Sequence, residues 1–521
     1  MSVVDAQLSI PAFFASTIVR RGDEPALGLI TNGQLRWRTW REIWHDTHAL
    51  AAALQTAGIQ PGDRVAQVSE NRYEWIVTDL AIHLAGAVHV PIHVTLSGQQ
   101  MAEQIVDCHA RLVFVSSAEM LAKFGDRLAA NVAVLVHEEG PGSAGASPSR
   151  APSVPTPAPE DLATILYTSG TTGRPRGVML SQRNLAANAV AMVEAFGDSP
   201  AETRLCVLPL SHIYARTCDL YTWVYHGSRL VLGESRDTIE RDFQLARPTA
   251  LSAVPHLYRK TMEKVEASGS TDEAAALQNY FGGHMGRLNC GGAAVAPVVE
   301  AWYAARGLPL LPGYGMTETS PVVTVSTPQA CRAGAVGRPL ANVQVGLAED
   351  GEVLVRGPSV MLGYWLDAAA TNDVVRDGWL HTGDLGEIDA DGFLTIRGRK
   401  KELIVLATGK KVSPTRIENL LTSSPLIDQA VVFGEGRSTL VALIVPTSKS
   451  EERGTTQRVP NEEIADEIRR CLASAAHEEQ VRQFTILDRP FSIERGELTA
   501  KLSLCRARIA ENFAGELAAL A

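Results

Sequence analysis

The chain has 521 residues, of which 45% are hydrophobic and 20% charged, and its mean hydropathy is zero. These values are typical of a globular protein with several domains, and they exclude a small disulfide-stabilised scaffold and a disordered chain. The net charge of −10 argues against a general nucleic-acid binder, because such proteins are usually basic.

The cysteines and the apolar segments indicate the compartment. Seven cysteines are spread along the chain without a CxxC pair, which favours a reducing environment. The first 24 residues lack the pattern of a signal peptide. The most apolar stretch, Trp75–Leu96, contains Asp79, Pro91 and three histidines, which disqualifies it as a membrane span. We therefore expect a cytoplasmic protein without an integral membrane segment.

The first part of the chain alternates between helical and extended patterns. Apolar spacing predicts a helix over residues 35–60 that ends at Gly58 and the following Pro-Gly turn. Further strands are predicted at Arg64–Val68, Ala87–Ile92 and Leu112–Val115, and helices at Trp75–Leu84 and Ala102–Val106. This rhythm predicts a mostly parallel sheet covered by helices on both faces.

The pattern changes twice further along. Residues 137–160, rich in Pro, Ala, Ser and Gly, predict an exposed loop or linker, and an apolar strand follows at Ala163–Tyr167. Between about 335 and 397, short alternating runs separated by Asp-Gly turns predict a small antiparallel sheet or barrel. Residues 400–521 predict a separate small unit with strands Ala430–Phe433 and Leu440–Pro446 and helices 461–476 and 504–517.

The predicted fold class is therefore α/β. A large N-terminal domain, residues 1–399, would contain mostly parallel sheets flanked by helices and a small β-barrel-like subdomain at about 335–397. A small α/β C-terminal domain would follow at 400–521.

The first segment with chemical content is YTSGTTGRPRGV, residues 167–178. Its glycines let backbone N–H groups approach phosphate oxygens, its hydroxyls add donors, and Arg174 and Arg176 add positive charge. The segment lacks the GxxxxGK[ST] pattern of a Walker loop. The alternative is an ordinary surface turn rich in Gly and Thr.

Two further segments contain possible ligands for a nucleotide. In GYGMTETSP, residues 313–321, an aromatic side chain between glycines can stack on a flat base, and a hydroxyl beside a carboxylate can hold a phosphate oxygen and Mg²⁺. In the stretch from Asp377 to Glu402, the carboxylate of Asp384 can accept hydrogen bonds from a ribose diol. The alternatives are a turn with an incidental acid and a solvated run of charges.

Together, in this order and at these separations, the three segments resemble the AMP-forming adenylate ligases. That family comprises acyl-CoA synthetases, adenylation domains that load carrier proteins, and firefly-type luciferases. The resemblance covers nearly the whole chain. LPLSHIYART, TALSAVPHLYRK and GELTAKLSLCR are most similar to the long-chain fatty acyl-CoA synthetase branch. The resemblance implies a large N-terminal domain followed by a mobile C-terminal lid.

The resemblance implies roles for individual residues in binding ATP. Tyr314 would flank adenine, Thr317 would contact the α-phosphate, and Glu318 would bind Mg²⁺. Asp384 would hold the ribose hydroxyls with help from Arg399. The ATP phosphates would be wrapped by the loop residues Thr168, Ser169, Gly170, Thr171, Thr172 and Gly173, with Arg176 at a position where the family usually has Lys.

Other positions match the acyl and thiol sites of the family. Gly291, Gly292 and Ala293 resemble the strip between adenine and the acyl pocket. His212 matches a histidine beside the acyl pocket and the thiol entrance, although a lone histidine can also be structural. Lys401 lies at the hinge of the family, and Gly409 resembles the glycine that approaches the pantetheine tunnel after domain rotation.

One departure from the family pattern concerns catalysis. The family Lys that bridges carboxylate and α-phosphate is replaced here by Ser503, while Lys501 lies two residues earlier. In an extended segment this shift keeps the side chain on the same face but moves it by ~6–7 Å. One hypothesis is that Lys501 takes over the role. The alternative is that adenylation is impaired.

The resemblance implies an ATP-dependent, AMP-forming ligase that activates a medium- or long-chain fatty acid and transfers it to CoA. Its cofactors and co-substrates would be ATP, Mg²⁺ and CoA. Two alternatives stay open. The acceptor can be an acyl carrier protein, or the chain can be a homologue that binds nucleotide or acyl-adenylate but adenylates poorly. Aromatic acids also remain candidate substrates.

Overall fold

The structure is a computed structural model that describes residues 8–128, 132–137, 157–168, 175–197, 201–447, 460–473, 475–492, 494–498 and 504–520. The predicted linker at 137–160 falls almost entirely outside these ranges. The elements before it are α1 (Ile10–Arg21), β1 (Pro25–Thr31), β2 (Gln34–Thr39), α2 (Trp40–Thr56), β3 (Arg64–Val68), α3 (Tyr73–Leu84), β4 (Val88–Ile92), α4 (Gly98–Asp107), β5 (Leu112–Val115), α5 (Ala118–Ala122) and β6 (Ala133–Val136).

After the linker, strands and helices again alternate, and a π-helical segment, Arg216–Tyr221, joins two short helices. The elements are β7 (Leu162–Thr168), β8 (Arg176–Ser181), α6 (Gln182–Phe196), β9 (Thr203–Cys206), α7 (Ile213–Ala215), α8 (Thr222–His226), β10 (Arg229–Leu232), α9 (Ile239–Ala246), β11 (Ala250–Ala253), α10 (Pro255–Ala267), α11 (Glu273–Tyr280), β12 (Arg287–Cys290), α12 (Pro297–Ala305), β13 (Leu310–Gly315) and β14 (Val322–Val325).

The last part of the chain begins with short strands and ends with a separate group of strands and helices. The elements are β15 (Arg338–Pro339), β16 (Gln344–Leu347), β17 (Glu352–Arg356), β18 (Gly363–Tyr364), α13 (Ala368–Val374), β19 (Val375–Arg376), β20 (Trp379–Ile388), β21 (Leu394–Arg399), β22 (Ile404–Val405), β23 (Lys411–Val412), α14 (Pro414–Leu421), β24 (Ile427–Phe433), β25 (Leu440–Pro446), α15 (Asn461–Cys471), β26 (Val481–Ile486), α16 (Arg506–Asn512) and α17 (Ala514–Ala519).

Two large sheets confirm the predicted α/β class. A seven-stranded sheet has the order β18-β8-β7-β4-β3-β5-β6, and its strands from β7 to β6 are parallel. A nine-stranded sheet has the order β15-β14-β13-β12-β11-β9-β10-β1-β2, with parallel pairing from β13 to β1. In both sheets the antiparallel strands lie at the edges, where no crossover helix is needed.

Helices α3, α6 and α8 and the π-helical segment pack between the two sheets. One buried core contains side chains of both sheets and of these helices, for example Trp75, Leu185, Leu220 and Trp223. A second core lies under α9–α12 on the other side of the nine-stranded sheet, and a third under α4 on the seven-stranded sheet. Helices α3 to α5 and α7 to α12 therefore lie in crossovers between parallel strands of these two sheets.

Most strands of the region at 335–397, namely β16, β17, β20, β19 and β21, form one antiparallel sheet, while β15 and β18 join the two large sheets. Its Asp-Gly turns contain glycines with positive φ, such as Gly351 at 83° and Gly392 at 82°. This backbone conformation favours glycine, which explains why these turns were visible in the sequence.

Several predicted helices had wrong bounds, and the one predicted at Ala102–Val106 spans Gly98–Asp107. Residues 34–39 form β2, which pairs with β1 across an Asn32-Gly33 turn, and the helix begins only at Trp40. Thr39 and Glu42 form a capping box there, so the chain has a strong local signal for the later start. The helix predicted at 461–476 ends at Cys471, and that at 504–517 is two helices separated at Phe513.

The elements after Arg399 have their own three-stranded sheet, β24-β25-β26, and their own buried core around Ile417, Val432 and Ile444. Three ion pairs on two buried glutamates hold the C-terminal segment to this unit. Arg506 binds both carboxylate oxygens of Glu418, and Arg489 and Arg495 bind Glu497. Among the described residues, no helix combines the length and apolar composition that crossing a bilayer would need.

Glu497 generates a prediction about acid stability. Its side chain is fully buried and also accepts hydrogen bonds from Ser492 N and Asn512. Although burial opposes it, this set of donors lowers the pKa of Glu497 to about 2. A lowered pKa stabilises the fold above the ordinary pKa of a glutamate, and this stability is lost as the pH falls towards 2.

We expect Glu497→Gln to lower the free energy of unfolding at pH 7 by about 2 kcal/mol, since hydrogen bonds to a charged group are lost. The difference between wild type and variant should shrink as the pH falls below 4. Urea unfolding of the full chain at several pH values measures both quantities. The exposed Glu511→Gln is the control. An equal difference at pH 7 and pH 3 would contradict the assigned ion pairs.

Candidate active site

The first predicted segment spans the end of β7 and the start of β8, two antiparallel neighbours in the seven-stranded sheet. Thr168 ends β7 and pairs with Arg176 at the start of β8. The loop residues Ser169, Gly170, Thr171, Thr172 and Gly173 lie outside the described residues. The two strands thus hold both ends of a Gly/Thr-rich loop at one place on the sheet.

Arg176 extends from this hairpin over the ring of Tyr364. Its guanidinium carbon is 5.4 Å from the ring centroid, a cation–π distance, and its Nε is 3.9 Å from Asp367 Oδ2. Tyr364 lies on β18, which pairs with β8. The cation beside the loop is therefore positioned by a neighbouring strand.

Tyr364 also holds Glu318. Its hydroxyl donates a hydrogen bond of 2.9 Å to Glu318 Oε1, and Met361 N donates to the Glu318 carbonyl oxygen. Burial and the carboxylate of Glu318 raise the pKa of Tyr364, so the hydroxyl keeps its proton. Tyr364 thus connects the cation of the first segment with the acid of the second. The sequence analysis did not identify Tyr364 as a site residue. The sequence feature that could have indicated it is an aromatic residue directly after a glycine.

The loop that carries Thr317 and Glu318 is compact. Residues Thr317–Thr319 form one short helical turn between β13 and β14, and both site residues are more than nine-tenths buried. A Cβ atom on Gly315 would overlap the carbonyl oxygen of Pro321. The close approach of these two backbone segments requires the glycine that precedes the turn.

Tyr314, Asp384 and Arg399 lie together, although 70 residues separate the first two. The Tyr314 hydroxyl donates a hydrogen bond of 2.7 Å to Asp384 Oδ2, and Arg399 Nε is 3.0 Å from Asp384 Oδ1. Asp384 and Arg399 are direct partners on the antiparallel strands β20 and β21. The aromatic side chain, the acid and the cation therefore form one group between two sheets.

The electrostatics of this group follow from burial. Asp384 is only 3% exposed, and its burial raises its pKa, while Arg399 and the Tyr314 hydroxyl oppose that shift. Arg399 keeps its charge because Asp384 raises its pKa in turn. The carboxylate is thus fixed in orientation by two donors and borders the half-buried Tyr314 ring.

Gly291 and Gly292 follow the end of β12, beside the helical stretch that begins after β9. A Cβ atom on Gly291 would lie 3.2 Å from the Tyr214 ring, and Gly292 has a φ of 82°. The strip Gly291–Ala293 therefore lets an aromatic side chain pass close to its backbone.

His212 caps the same helical stretch. Its Nδ1 accepts a hydrogen bond from Tyr214 N, so in the neutral ring the proton is on Nε2. Its ring centroid is 6.0 Å from that of His93, whose Nδ1 is 2.8 Å from Ser211 Oγ. His93 is a neighbour that our sequence analysis did not identify.

Two predicted residues belong to the part after Arg399. Lys401 is exposed on a short turn, and Gly409 lies between β22 and β23 with a φ of 79° and no atom within 4 Å of its Cβ position. Within the described ranges, no hydrogen bond or ion pair joins either residue to the Tyr314 or Glu318 groups.

Lys501 and Ser503 lie outside the described residues. The positions on either side of them are described: Leu498 and Leu504 form an antiparallel bridge. Arg506, the residue that matches the family pattern, binds Glu418 and the Val432 carbonyl oxygen. This arginine therefore anchors the C-terminal segment within its own unit.

Comparisons with known proteins identify the family to which the chain is similar. The sequence model of the AMP-binding enzyme family matches residues 14–365, and that of the AMP-binding enzyme C-terminal domain matches residues 401–520. The long-chain-fatty-acid–CoA ligase FadD15 of Mycobacterium bovis is 33% identical over 92% of both chains. A feruloyl-CoA synthase from an Amycolatopsis species is 31% identical over 76% of this chain and 80% of its own.

A similar solved structure is that of the anthranilate CoA ligase AuaEII in complex with anthranoyl-AMP. It covers all of both chains with a TM-score of 0.83 at 19% sequence identity. At this identity the likeness concerns the fold. It extends over both the N-terminal and the C-terminal parts of the chain.

The close approach at Gly315 generates the second prediction. We expect Gly315→Ala to lower the free energy of unfolding by about 3 kcal/mol, because the added methyl group overlaps a backbone oxygen that cannot move alone. Thermal unfolding followed by circular dichroism measures the change.

Gly515→Ala, where no atom lies within 4 Å of the new Cβ, is the matched control. It should leave stability unchanged or raise it slightly, since Ala favours a helix over Gly. Equal stability of the two variants would show that the turn bearing Glu318 does not depend on Gly315.

Proposed function

The chain belongs to the AMP-binding enzyme family, and we propose that it is an AMP-forming ligase that activates a fatty acid with ATP and transfers it to CoA. The observation that carries this proposal is the convergence of two groups, Tyr314–Asp384–Arg399 and Arg176–Tyr364–Glu318. One suits a nucleoside and the other suits charged phosphates. The similarity to a long-chain-fatty-acid–CoA ligase over 92% of the chain supports the acyl and CoA assignments.

In this proposal the nucleoside lies against Tyr314 and Asp384. The ring of Tyr314 stacks on adenine, and the Asp384 carboxylate accepts hydrogen bonds from the ribose hydroxyls. Arg399 and the Tyr314 hydroxyl already orient that carboxylate, so little rotamer freedom is lost on binding.

The phosphates lie over the loop 168–173, near Arg176. Thr317 contacts the α-phosphate, and its buried hydroxyl lies on a turn whose backbone is fixed by Gly315. Arg176 supplies a planar guanidinium where the family usually has a compact ammonium, and the Tyr364 ring holds it in place.

Glu318 fits the requirement of a Mg²⁺ ion bound to ATP. Such an ion usually takes one or two protein carboxylates together with phosphate oxygens. Glu318 offers a buried carboxylate whose orientation is set by the Tyr364 hydroxyl. When bound, the ion would neutralise charge on the phosphate oxygens.

The reaction has two steps. The fatty acid carboxylate attacks the α-phosphorus and pyrophosphate leaves, and fixed cations stabilise the charge that develops on the α-phosphoryl oxygens. The CoA thiol then attacks the acyl carbon and AMP leaves. We place His212 beside the acyl group and the thiol entrance, with the strip Gly291–Ala293 between adenine and the acyl pocket.

We propose that residues 400–521 form a lid that turns about Lys401 and brings Gly409 to the thiol entrance. The ion pair between Arg259 of α10 and Asp428 of β24, at 2.8 Å, joins the two parts and is partly exposed. Such pairs contribute only ~0–1 kcal/mol, so this contact does not prevent rotation. Closure would keep water from the acyl-adenylate.

All seven cysteines are free thiols, which supports our proposal that the enzyme works in the reducing cytoplasm.

The similarity to a feruloyl-CoA synthase supports a second substrate class, aromatic acids. A carrier protein as acceptor and a homologue impaired in adenylation remain the alternatives that assays must separate.

The third prediction tests the activity. Purified protein with ATP and Mg²⁺ should release pyrophosphate with fatty acids, and CoA should increase the release and yield an acyl thioester. We expect kcat/KM to rise with chain length from acetate to the medium- or long-chain acids. Pyrophosphate release that CoA does not increase would favour a carrier-protein acceptor. If none of the acids caused pyrophosphate release, the proposed function would be contradicted.

The fourth prediction concerns the residue that replaces the family Lys. If Lys501 bridges the carboxylate and the α-phosphate, Lys501→Ala should lower the rate of pyrophosphate release by about 10²–10³-fold, as for other groups that stabilise developing charge. Conversion of a synthetic acyl-adenylate to the thioester should be unaffected.

Arg508→Ala is the matched control, because Arg508 is an exposed cation of the same segment and forms an ion pair with Glu511. It should leave both half-reactions intact. If Lys501→Ala adenylates as fast as wild type, Lys501 does not have this role.

A further inference from the structure

A second group of charged and polar side chains lies buried between the nine-stranded sheet and the π-helical segment. We call it the inner polar cluster, and it consists of Glu202, Arg204, Asp219, Ser252, Arg287 and Asn289. None of these residues belongs to the nucleotide groups described above.

The cluster lies on the same face of the sheet as Gly291. Side chains two residues apart on a strand share a face, so Arg287, Asn289 and Gly291 of the β12 segment point to one side. The register places Ser252 of β11 beside Asn289, and Ala250 beside both Arg287 and Arg204. The Tyr214 ring faces Gly291. Burial raises the pKa of Tyr214, and the nearby Asp219 carboxylate raises it further.

The distance from the strip to the cluster is that of an acyl group. Asn289 and Arg287 lie two and four residues before Gly291, which corresponds to about 7 Å and 13 Å along a strand. A carboxylate placed beside Gly291 and His212 would therefore direct its distal end towards Asn289, Ser252 and Asp219.

Several polar atoms of the cluster make no hydrogen bond of normal geometry with any described residue. They are both carboxylate oxygens of Asp219, Ser252 Oγ and Asn289 Oδ1. These side chains are 0%, 1% and 5% exposed. A buried polar group without a well-formed hydrogen bond costs about 1–3 kcal/mol, so these three side chains need an explanation.

The two guanidinium groups of the cluster form their close ion pairs with Glu202 and not with Asp219. Glu202 binds both guanidinium groups, that of Arg204 through Nε and that of Arg287 through Nη2 at 2.6 Å. Arg204 also donates to the Cys218 carbonyl oxygen and the Thr222 hydroxyl. The cation nearest to Asp219 is Arg204 at 3.8 Å, its other polar neighbours are the Ser252 hydroxyl and the Cys206 thiol, and burial raises its pKa to about 6.

We propose that the inner polar cluster is a specificity site that receives a hydroxyl group at the distal end of the acyl substrate. This inference rests on the proposed ligase function and narrows its substrate to hydroxylated acids. A hydroxyl donates to Asp219 or Asn289 and accepts from Ser252 or Arg287. Two carboxylates and two guanidinium groups leave the cluster without net charge, so a neutral hydroxyl fits better than an ammonium group.

The test compares acids that differ only in the distal hydroxyl. Suitable pairs are ω-hydroxydecanoate with decanoate, and para-hydroxycinnamate with cinnamate. Thioester formation gives kcat/KM for each acid, and calorimetry with the matching acyl-sulfamoyl adenosines measures binding without catalysis. We expect the hydroxylated member of at least one pair to be preferred by wild type by about tenfold or more, since a site built for a hydroxyl rejects the analogue without it.

Asp219→Leu should abolish or reverse this preference, and Ser252→Ala should reduce it. Tyr221→Phe is the matched control: it removes a buried hydroxyl on the same π-helical segment that contacts His83 and Asp79 instead. It should change kcat/KM for both members of a pair by the same factor. Thermal unfolding of each variant separates loss of fold from loss of preference.

The outcomes distinguish this inference from the proposed function. Equal kcat/KM and equal binding for both members of each pair would overturn the specificity site and leave the ligase function intact. The same conclusion would follow if a folded Asp219→Leu variant kept the wild-type ratio of kcat/KM between the two members of a pair. Suppose that the acyl-sulfamoyl adenosines with a distal hydroxyl bind more tightly than their partners but no acid is converted to a thioester. This result would support the specificity site and overturn the ligase function.

Discussion

The fully buried ion pair between Arg216 and Asp79 is the interaction on which the position of the site depends. Arg216 lies on the π-helical segment between the two large sheets. Its Nη2 is 2.5 Å from Asp79 Oδ1 on α3, and its Nη1 donates to Thr164 of β7 at 2.8 Å. Although burial opposes ionisation, Arg216 holds the pKa of Asp79 well below its usual range, and burial lowers the pKa of the adjacent His89 to about 3. Removing one partner of such a buried pair typically costs about 3–5 kcal/mol.

The π-helical segment and the residues just before it contact three other parts of the molecule. Thr217 donates a hydrogen bond of 2.8 Å to the carbonyl oxygen of Ser320, which follows the turn with Thr317 and Glu318. Asp219 faces the nine-stranded sheet and the inner polar cluster. The residues just before the segment, His212 and Tyr214, lie beside the strip that begins at Gly291. One wide helical turn, fixed by a buried cation, thus positions the turn with Thr317 and Glu318, the inner polar cluster and the side chains beside Gly291.

Sequence patterns performed best where a local rule decides the structure. The strands Arg64–Val68 and Leu112–Val115 have the predicted bounds, because a buried parallel strand is a short apolar run. Prediction was less accurate where two local signals overlapped. Residues 35–39 were assigned to a helix from apolar spacing, but they belong to a strand that pairs with β1 because the Asn32-Gly33 turn returns the chain. Tyr364 was missed because its role requires β18 to pair with β8. This pairing places Tyr364 opposite Val178, which lies 186 residues earlier in the chain.

The sequence alone determined the class of the protein. Its Gly/Thr-rich loop, its Tyr-Gly-Met-Thr-Glu turn and its Asp-Gly turns contain residue types whose backbone freedom and donors are required locally, so their chemistry is visible without a fold. Only the tertiary structure decided which side chains meet: Tyr314 with Asp384, Tyr364 with Glu318 and Arg176, and Asp219 with the face of Ser252 and Asn289. These contacts depend on strand order and on the helix layer between two sheets, and neither property is encoded in any single segment of the chain.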